Sequence, residues 1–288
     1  MTADRPATGP AAGSAAERQE TDWSWALADQ DWIPPDIDAD RPSPARMYNY
    51  TLGGKDNFAV DREAVGQIAE LFPDYATLAL ANRSFLIRAV DAMARSGIDQ
   101  FLDLGTGIPV SPSVHEVAQE VHPGARVVYV DKDPIVMAQN RALRGSYPGV
   151  LTAHHDLRHP DALFADAQIR GWLDFDRPLG VVLTAVLHFV RSDLAPQMIT
   201  RYRRMLAPNS QVAISVACRD GTPPELIRRM EQVYATSSMP MNFRSTAQIE
   251  QLMEGLDLLE PGLTDVTTWR ADGEPTTLSM LAGLGRML

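Results

Sequence analysis

The 288-residue sequence contains one cysteine, two lysines and no apolar run long enough to cross a membrane. The single cysteine, Cys218, excludes an internal disulfide framework and a multi-cysteine zinc site. It lies within the apolar run 212–218, so we expect a buried structural thiol. The N-terminus lacks the basic end and apolar core of a signal peptide, so we expect a cytoplasmic protein.

Positive charge is in deficit across the whole chain. The formal net charge is −11, whereas a general nucleic-acid binder usually carries a basic stripe. Hydrophobic residues make up 45% and charged residues 22%, which is ordinary for a soluble globular protein. We therefore expect no nucleic-acid partner, and the lack of a long apolar run gives no reason to expect a membrane partner. A homodimer is a possible assembly.

The N-terminal third divides into three kinds of segment. Residues 1–20 are rich in Ala, Gly, Pro and Thr and predict a disordered tail. Residues 21–96 predict an arm, whose tryptophans either pack on the domain surface or contact a partner, followed by a helical cover. In the cover, apolar spacing predicts helices over 61–71 and 75–96, with Gly97 ending the second. By default, the polar pair Asn82 and Arg83 on the second helix is expected to face solvent.

Residues 97–288 alternate apolar runs with amphipathic patterns. The apolar runs predict five strands at 98–104, 126–131, 150–156, 179–189 and 211–218. Helices are predicted to end near residues 121, 144, 170, 206, 236 and 255, and an antiparallel hairpin over 263–269 and 276–283 closes the chain. The sequence therefore predicts an α/β fold with a doubly wound, seven-stranded, mostly parallel sheet.

A strand, a tight turn and a helix meet in the stretch FLDLGTGIP at 101–109. Asp103 stands near the carboxyl end of the strand, where open α/β sheets bind ligands, and the two glycines allow a ligand to approach the backbone. Val110 occupies the place where a dinucleotide fingerprint has a third glycine or alanine, and Pro109 removes an N–H that could face a phosphate. A cofactor without phosphate, such as S-adenosylmethionine, fits this turn better than NAD.

Acidic residues end the second and third predicted strands, at Asp131 and Asp156. Asp131 has the place of a carboxylate that holds a ribose hydroxyl pair. Asp133 precedes Pro134, so it is explained equally well as a helix N-cap or as a ligand contact.

Three stretches together resemble a bacterial S-adenosyl methyltransferase family, class I and Rossmann-like, that was first described as a domain of unknown function. They are RMYNYTLGGKDNF at 46–58, NRSFL at 82–86 and FLDLGTGIP at 101–109. The resemblance implies transfer of a methyl group from S-adenosyl-L-methionine, with S-adenosyl-L-homocysteine as the product. It also implies that Gly105, Thr106 and Gly107 face the methionine end of the cofactor, with Asp103 near its amino group.

The same resemblance implies the rest of the cofactor site. Asp131 would hold the ribose, and the adenine would lie beside Lys132, Asp133, Asp156 and Leu157. Near the sulfonium it implies Thr184 and Ala185, and from the N-terminal cover it implies Tyr48, Gly54 and Arg83. Two roles are our hypotheses: the Tyr48 ring steadies the sulfonium by cation–π attraction, and Arg83 pairs with the methionine carboxylate.

His188 lies at the end of the fourth predicted strand, beside the expected pocket. It is the candidate catalytic residue, as a substrate contact or general base, and a hydrogen-bonded core histidine is the alternative. His154 and His155 alternate along a strand and make a poor metal pair, so no metal is predicted. The remaining three histidines, His115, His122 and His159, are expected at the surface.

The sequence therefore predicts an S-adenosylmethionine-dependent methyltransferase with an unidentified, small-molecule acceptor. The alternative is a non-catalytic protein that binds S-adenosylmethionine or S-adenosylhomocysteine and regulates a partner through the tryptophan-rich arm. An NAD-dependent oxidoreductase is the lesser alternative.

Overall fold

Three helices precede the first strand in the computed structural model, which describes residues 38–288. They are α1 (Pro44–Thr51), α2 (Ala59–Leu71) and α3 (Tyr75–Arg95). The predictions of α2 and α3 are confirmed, and Gly97 follows α3 with a φ of +100°. The predicted tail at 1–20 and the tryptophan arm lie outside the described residues.

Helix α1 was not predicted, because half of its buried face is polar. Arg46 and Asn49 are buried there beside Met47, so the apolar repeat of an amphipathic helix is missing. The Arg46 guanidinium is neutralised by Asp61 of α2, with 2.7 Å between Nε and Oδ2. A buried ion pair thus joins the two helices where sequence periodicity gives no signal.

The sheet has the order β3-β2-β1-β4-β5-β8-β6, and β7 also pairs with β8. Its parallel part consists of β1 (Gln100–Leu104), β2 (Arg126–Asp131), β3 (Val150–His154), β4 (Gly180–Thr184) and β5 (Gln211–Cys218). The antiparallel part consists of β6 (Asp257–Leu258), β7 (Thr264–Asp265) and β8 (Ser279–Arg286). The doubly wound, mostly parallel sheet is confirmed, and the two-residue strand β6, which was not predicted, brings its strands to eight where seven were predicted.

Seven helices and one 3-10 helix connect and flank these strands. They are α4 (Val114–Val121), α5 (Pro134–Arg144), α6 (Pro160–Ala165), α7 (Ala167–Trp172), α8 (Ala195–Arg204), α9 (Pro224–Ala235) and α10 (Thr246–Met253), with the 3-10 helix at Leu187–Phe189. The single helix predicted up to residue 170 was wrong, because Asp166 caps a new helix by accepting from the backbone N–H groups of Gln168 and Ile169.

Two further boundaries differ from the prediction. The fourth strand ends at Thr184 rather than running on to residue 189, because Ala185 adopts a φ of +52° and the chain enters the 3-10 helix. The strand predicted over 263–269 is paired only at Thr264–Asp265. There the Asp265 carboxylate accepts hydrogen bonds from both the backbone N–H and the hydroxyl of Thr267, which turns the chain.

The sheet buries both faces, as alternation along each strand requires. Phe101 of β1 packs with α3 residues such as Phe85 and Met93, whereas its neighbour Leu102 belongs to the cluster on the opposite face with Met198 of α8. The helical cover therefore shares a hydrophobic core with one face of the sheet. Cys218 at the end of β5 is buried, which confirms its prediction as a buried thiol.

Candidate active site

A pocket opens at the carboxyl ends of β1, β2 and β4 and is covered by α1 and α3. It lies where the strand order reverses between β1 and β4, the switch point at which open α/β sheets bind ligands. The pocket contains about 1350 Å³ of free space, part of it open to solvent. Of the predicted site residues, all but Gly54 line it: Tyr48, Arg83, Asp103, Gly105, Thr106, Gly107, Asp131, Lys132, Asp133, Asp156, Leu157, Thr184, Ala185 and His188.

The glycine turn after β1 is held in one conformation. Gly105 and Gly107 have φ angles of +74° and +66°, a region that favours glycine. A Cβ on Gly105 would lie 2.3 Å from Val186 Cγ2, so a larger residue there would distort the turn itself. The backbone N–H groups of Gly105 and Thr106 both donate to the Val130 carbonyl, at 2.8 and 3.1 Å.

Two side chains of α5 support this turn from behind. Asn140 Nδ2 donates to the Gly107 carbonyl at 3.1 Å, and Arg144 Nη1 donates to Thr106 Oγ1 at 3.2 Å. The buried Arg144 guanidinium also lies 4.0 Å from the centroid of the Tyr129 ring. Sequence reasoning missed both residues, although their spacing of four positions places them on one face of α5.

Asp103 brings a buried carboxyl group to the floor of the pocket. Burial raises its pKa above the ordinary value, and Arg144, a hydrogen bond from Thr106 and Arg83 act in the opposite direction. The carboxyl group therefore lies beside the turn, and the charges that act on it are those of Arg144 and Arg83.

Asp131 organises the end of β2. Its Oδ2 accepts from the Gly107 N–H at 3.0 Å, and its Oδ1 accepts from the Asp133 N–H at 2.9 Å. Each carboxylate oxygen has a second lone-pair direction, so acceptor capacity remains for hydroxyl groups of a ligand. Burial raises the pKa of Asp131 to about 6.

Asp133 caps α5, which confirms the N-cap interpretation. Its Oδ1 accepts from the N–H groups of Ile135 and Val136, at 2.9 and 3.4 Å. Its Oδ2 accepts from the Ser43 hydroxyl at 3.0 Å, which ties the start of α1 to the sheet. Asp133 also lines the pocket, so the structural role does not remove it from the site.

The loop after β3 is fixed by its own side chains. The Asp156 carboxylate accepts from the Arg158 backbone N–H and Nε, each at 2.9 Å. Burial raises the pKa of Asp156, but these hydrogen bonds outweigh burial and the net pKa is lowered. The Leu157 carbonyl accepts from the Tyr202 hydroxyl at 2.8 Å, and the Lys132 carbonyl lies 2.9 Å from His154 Nε2.

A buried hydrogen-bond chain joins the cover to the end of β4. The Tyr48 hydroxyl donates to the Ala79 carbonyl and accepts from Asn82 Nδ2, and Asn82 Oδ1 accepts from Ser215 Oγ. Ser215 Oγ in turn accepts from the Ala185 N–H at 2.9 Å. The expectation that Asn82 faces solvent was wrong, since its side chain is buried.

The histidines distribute differently from the prediction. His188 is buried and lines the pocket, and its Nδ1 accepts from the Ala217 N–H at 3.5 Å. Burial, and then the charge of Arg244, lowers the His188 pKa to about 3. The imidazole is therefore neutral and a weak base. His115 is buried against the Tyr129 hydroxyl, 2.8 Å from its Nδ1, so its placement at the surface was wrong, whereas His159 is exposed as expected.

A family model described as S-adenosyl methyltransferase matches residues 30–287. The chain belongs to the S-adenosyl methyltransferase family. Two solved structures are 35% identical to it. One is a DUF574 family protein from Streptomyces avermitilis, with a TM-score of 0.82 over 88% of this chain and 100% of that one. The other is a candidate methyltransferase from Thermobifida fusca, with a TM-score of 0.81 over 89% of this chain and 98% of that one.

The resemblance stated from the three sequence stretches is confirmed. The protein is an S-adenosylmethionine-dependent methyltransferase of the Rossmann-like class, and S-adenosyl-L-methionine is its cofactor. The comparisons support neither the NAD-dependent oxidoreductase nor the non-catalytic regulator. Among proteins with curated descriptions, none matches the chain.

One arginine in the pocket lining of this S-adenosyl methyltransferase keeps an unpaired donor. Arg83 Nη2 donates to the carbonyls of Val110 and Pro112, which holds the loop after the glycine turn. Arg83 Nε is buried and has no partner among residues 38–288. A buried unpaired donor on a charged group costs free energy, and a carboxylate would satisfy it.

Gly54 has a place in the methyltransferase outside the pocket lining. A Cβ at this position would lie 2.2 Å from Asn49 Nδ2, so glycine allows the Asn49 side chain to pack against the backbone. Asn49 Oδ1 then accepts from the Asp56 N–H and from Asn57 Nδ2, at 3.0 and 3.1 Å. In this structure, Gly54 shapes the turn after α1.

Over the described part of the chain, no group of three His, Cys, Asp or Glu side chains is placed to hold a metal ion. Within the same residues, no helix is long and apolar enough to span a membrane.

Proposed function

We propose that the pocket binds S-adenosyl-L-methionine in an extended form across the ends of β1, β2 and β4, and that the enzyme methylates a small molecule. One observation carries this proposal: the glycine turn, Asp131, the loop at Asp156 and the end of β4 surround one continuous space. The loop at Asp156 follows β3, Asp131 ends β2 and the glycine turn follows β1, so neighbouring strand ends would take the adenine, the ribose and the methionine end. The sulfonium, between methionine and ribose, would then lie toward the end of β4, as the family resemblance implies.

The residues divide the cofactor between them. The turn Gly105, Thr106 and Gly107 and the carboxyl of Asp103 hold the methionine end, and the Arg83 guanidinium pairs with its carboxylate. Asp131 accepts from the ribose hydroxyls. The adenine lies beside Lys132, Asp133, Asp156 and Leu157, and the sulfonium lies near Thr184, Ala185 and the ring of Tyr48. Gly54 contributes through the conformation of the segment that carries Tyr48.

When bound, S-adenosyl-L-methionine supplies a methyl group whose carbon bonds to the acceptor atom while the carbon–sulfur bond breaks and its electron pair stays on sulfur. The task of this chain is to orient both reactants and exclude water. The cover helices perform the exclusion, because α1 and α3 close over the pocket. His188 acts here as a neutral hydrogen-bond partner of the acceptor, since a pKa of about 3 suits it poorly to take a proton.

We further propose a cytoplasmic, bacterial enzyme with no nucleic-acid partner, and a homodimer as a possible assembly. The net charge of −11 supports the lack of a nucleic-acid partner, and the bacterial origin of the two relatives supports a bacterial enzyme. The proposed organisation of the described residues keeps a helical cover up to residue 96 and a cofactor-binding domain at 97–288.

Two measurements test the proposal. S-adenosylhomocysteine is titrated into the wild-type protein and the Asp131→Ala variant by calorimetry, with Arg229→Ala on the exposed side of α9 as the matched control. We expect binding that Asp131→Ala weakens and Arg229→Ala leaves unchanged. Absence of binding to the wild type would refute the pocket assignment.

Turnover is then measured with methyl-labelled S-adenosylmethionine and a small-molecule extract of bacterial cells. Labelled product supports methyl transfer to a small molecule. Tight cofactor binding with no labelled product in any extract would contradict it and favour the regulatory alternative.

A further inference from the structure

The side of the pocket away from the cofactor residues is apolar and rich in sulfur and aromatic groups. We define the acceptor wall as Tyr75, Phe189, Met230, Tyr234, Met241 and Met280, all of which line the pocket. They come from α3, the 3-10 helix, α9, the loop after α9 and β8. Sequence reasoning did not identify this wall, because its members are scattered over more than two hundred positions.

The wall is continuous with the neighbourhood of the proposed methyl group. The ring of His188 contacts Phe189 with 4.5 Å between centroids, and Phe189 contacts Tyr234 with 5.6 Å between centroids. The Tyr234 hydroxyl lies 3.1 Å from that of Tyr75. A molecule lying along these rings therefore reaches from the tyrosine pair toward the end of β4.

The wall offers no charge to a ligand. The acidic and basic side chains that line the pocket are Arg83, Asp103, Asp131, Lys132, Asp133, Asp156 and Arg158, all in the cofactor part of the site. Arg244 donates to the carbonyls of Leu187 and Val190 and is not among the described lining residues. An ionised ligand placed against the wall would be desolvated without an opposite charge, which is strongly unfavourable.

The tyrosine pair provides one directional polar contact. Two hydroxyl groups carry two protons, and the bond between Tyr75 and Tyr234 uses one. Neither hydroxyl has a further partner among residues 38–288, so the second proton is free to be donated. The three methionines supply polarisable, adaptable contacts to a flat ring.

We infer that the acceptor wall binds an uncharged aromatic molecule whose polar substituent accepts a hydrogen bond from the Tyr75–Tyr234 pair. This inference rests on the proposed function, since it names the substrate class of the same site.

The test compares four probes on one ring system: 2-naphthol, 2-methylnaphthalene, 2-naphthoate and naphthalen-2-ylmethylammonium. Each is titrated into the protein saturated with S-adenosylhomocysteine and followed by ligand-observed NMR. We expect both neutral probes to bind at least tenfold more tightly than either ion, with 2-naphthol the tightest. Equal or tighter binding of an ion, or binding of no probe at all, would overturn the inference.

Two variants locate the binding. In the double variant Tyr75→Phe/Tyr234→Phe, 2-naphthol should lose about two- to tenfold in affinity, the value of one hydrogen bond, while 2-methylnaphthalene is unaffected. Met241→Asp should weaken both neutral probes at least tenfold. Met205→Asp, at an exposed methionine outside the pocket lining, is the control and should change nothing.

The affinity for S-adenosylhomocysteine separates this inference from the proposed function. Failure of the wild type to bind it refutes the proposed function. Normal binding of it, combined with unchanged probe affinities in Met241→Asp and in the double tyrosine variant, refutes the acceptor wall alone.

Discussion

The amide nitrogen of Asn82 lies 2.8 Å from the hydroxyl oxygen of Tyr48. The amide oxygen of Asn82 accepts from Ser215 Oγ at 2.5 Å, so one buried side chain connects α1, α3 and β5. Because Ser215 also holds the Ala185 N–H, the cover is fastened to the sheet beside the proposed sulfonium position. The position of the cover and the geometry of the site therefore depend on each other.

Substitution of Asn82 should loosen this connection. Asn82→Leu keeps the branched shape and the number of heavy atoms but removes both hydrogen bonds and leaves Ser215 Oγ without its acceptor. We expect the free energy of unfolding to fall by about 1–3 kcal/mol, measured by chemical denaturation. Ser84→Ala, at an exposed position on the same helix, should have little effect. Equal stability of the two variants would show that the buried hydrogen-bond chain does not contribute to the free energy of unfolding.

Substitution of Arg83 should weaken the binding of ligands that carry the amino-acid end of the cofactor. Arg83→Met should weaken S-adenosylhomocysteine binding by about tenfold or more, because a charge-assisted hydrogen bond to its carboxylate is lost. The affinity for 5′-methylthioadenosine, which lacks the amino-acid end, should change much less. Calorimetric titration of both ligands gives the ratio. A similar loss for both would indicate that Arg83 acts only by holding the loop at Val110 and Pro112.

The Tyr48 ring should discriminate the sulfonium from the neutral thioether. Tyr48→Leu and Tyr48→Phe both remove the hydroxyl, but only the second keeps an aromatic face. We expect the leucine variant to lose about 0.5–2 kcal/mol more binding free energy for S-adenosylmethionine than for S-adenosylhomocysteine. The phenylalanine variant should lose the same binding free energy for both ligands. If the two variants shift the ratio of affinities alike, the cation–π hypothesis fails.

Cofactor binding should depend on pH through Asp131. Its carboxylate must be ionised to accept from two ribose hydroxyls, and its pKa is raised to about 6. The affinity for S-adenosylhomocysteine should therefore fall as the pH drops through about 6, approaching tenfold per unit. Titration between pH 5 and 8 tests this. Asp131→Asn should bind weakly with a flat profile, and a wild-type profile that is equally flat would contradict the assignment.

The raised pKa of Asp131 makes stability fall as the pH rises, whereas the affinity for the cofactor rises with pH. Since the folded protein holds this proton up to about pH 6 and the unfolded chain releases it near 3.8, the contribution of Asp131 to stability is fully present below the unfolded pKa. It is lost as the pH rises through about 6. In the absence of cofactor, the stability of the wild type relative to Asp131→Asn should therefore fall as the pH rises from about 4 to about 6 and stay level above that.

Arg144 should act as a positioning residue for the glycine turn. Arg144→Met removes the hydrogen bonds to Thr106 and Asn140 and leaves the buried Asp103 carboxyl without this neighbouring charge. We expect the free energy of unfolding to fall by about 2–3 kcal/mol and the affinity for S-adenosylhomocysteine to fall with it. Arg144→Lys should not restore the affinity, because an ammonium lacks the planar fork. Arg229→Met is the exposed control. An equal loss of stability and affinity in that variant would contradict the positioning role of Arg144.

Local patterns predicted the elements whose buried faces are apolar. Helices α2 and α3 and the five parallel strands follow from periodicity, and Asp133 caps α5 as the Asp-Pro pair indicates. The predictions failed where polar groups are buried or a single side chain redirects the backbone. The polar face of α1 gave no periodic signal, and the Asp166 cap divided a predicted helix into two.

The burial of Asn82 was within reach of the sequence. It lies four positions after Leu78 and four before Leu86, on the apolar face of α3, so the spacing alone contradicts a solvent-facing position. Its partners were not within reach. Ser215 lies more than a hundred positions away, and only the packing of α3 on β5 brings the two together.

The sequence by itself determined the succession of strands and helices along the chain, the glycine turn, the acidic residues at the strand ends and the family. Each of these depends on residues that are neighbours in the chain. The tertiary structure decided which polar groups are buried and what they contact. It gave Asp131 its raised pKa, His188 its neutrality, Arg83 its unpaired Nε, and the pocket its uncharged wall. The physical reason is that desolvation and hydrogen bonding depend on groups brought together from distant segments, which no local pattern encodes.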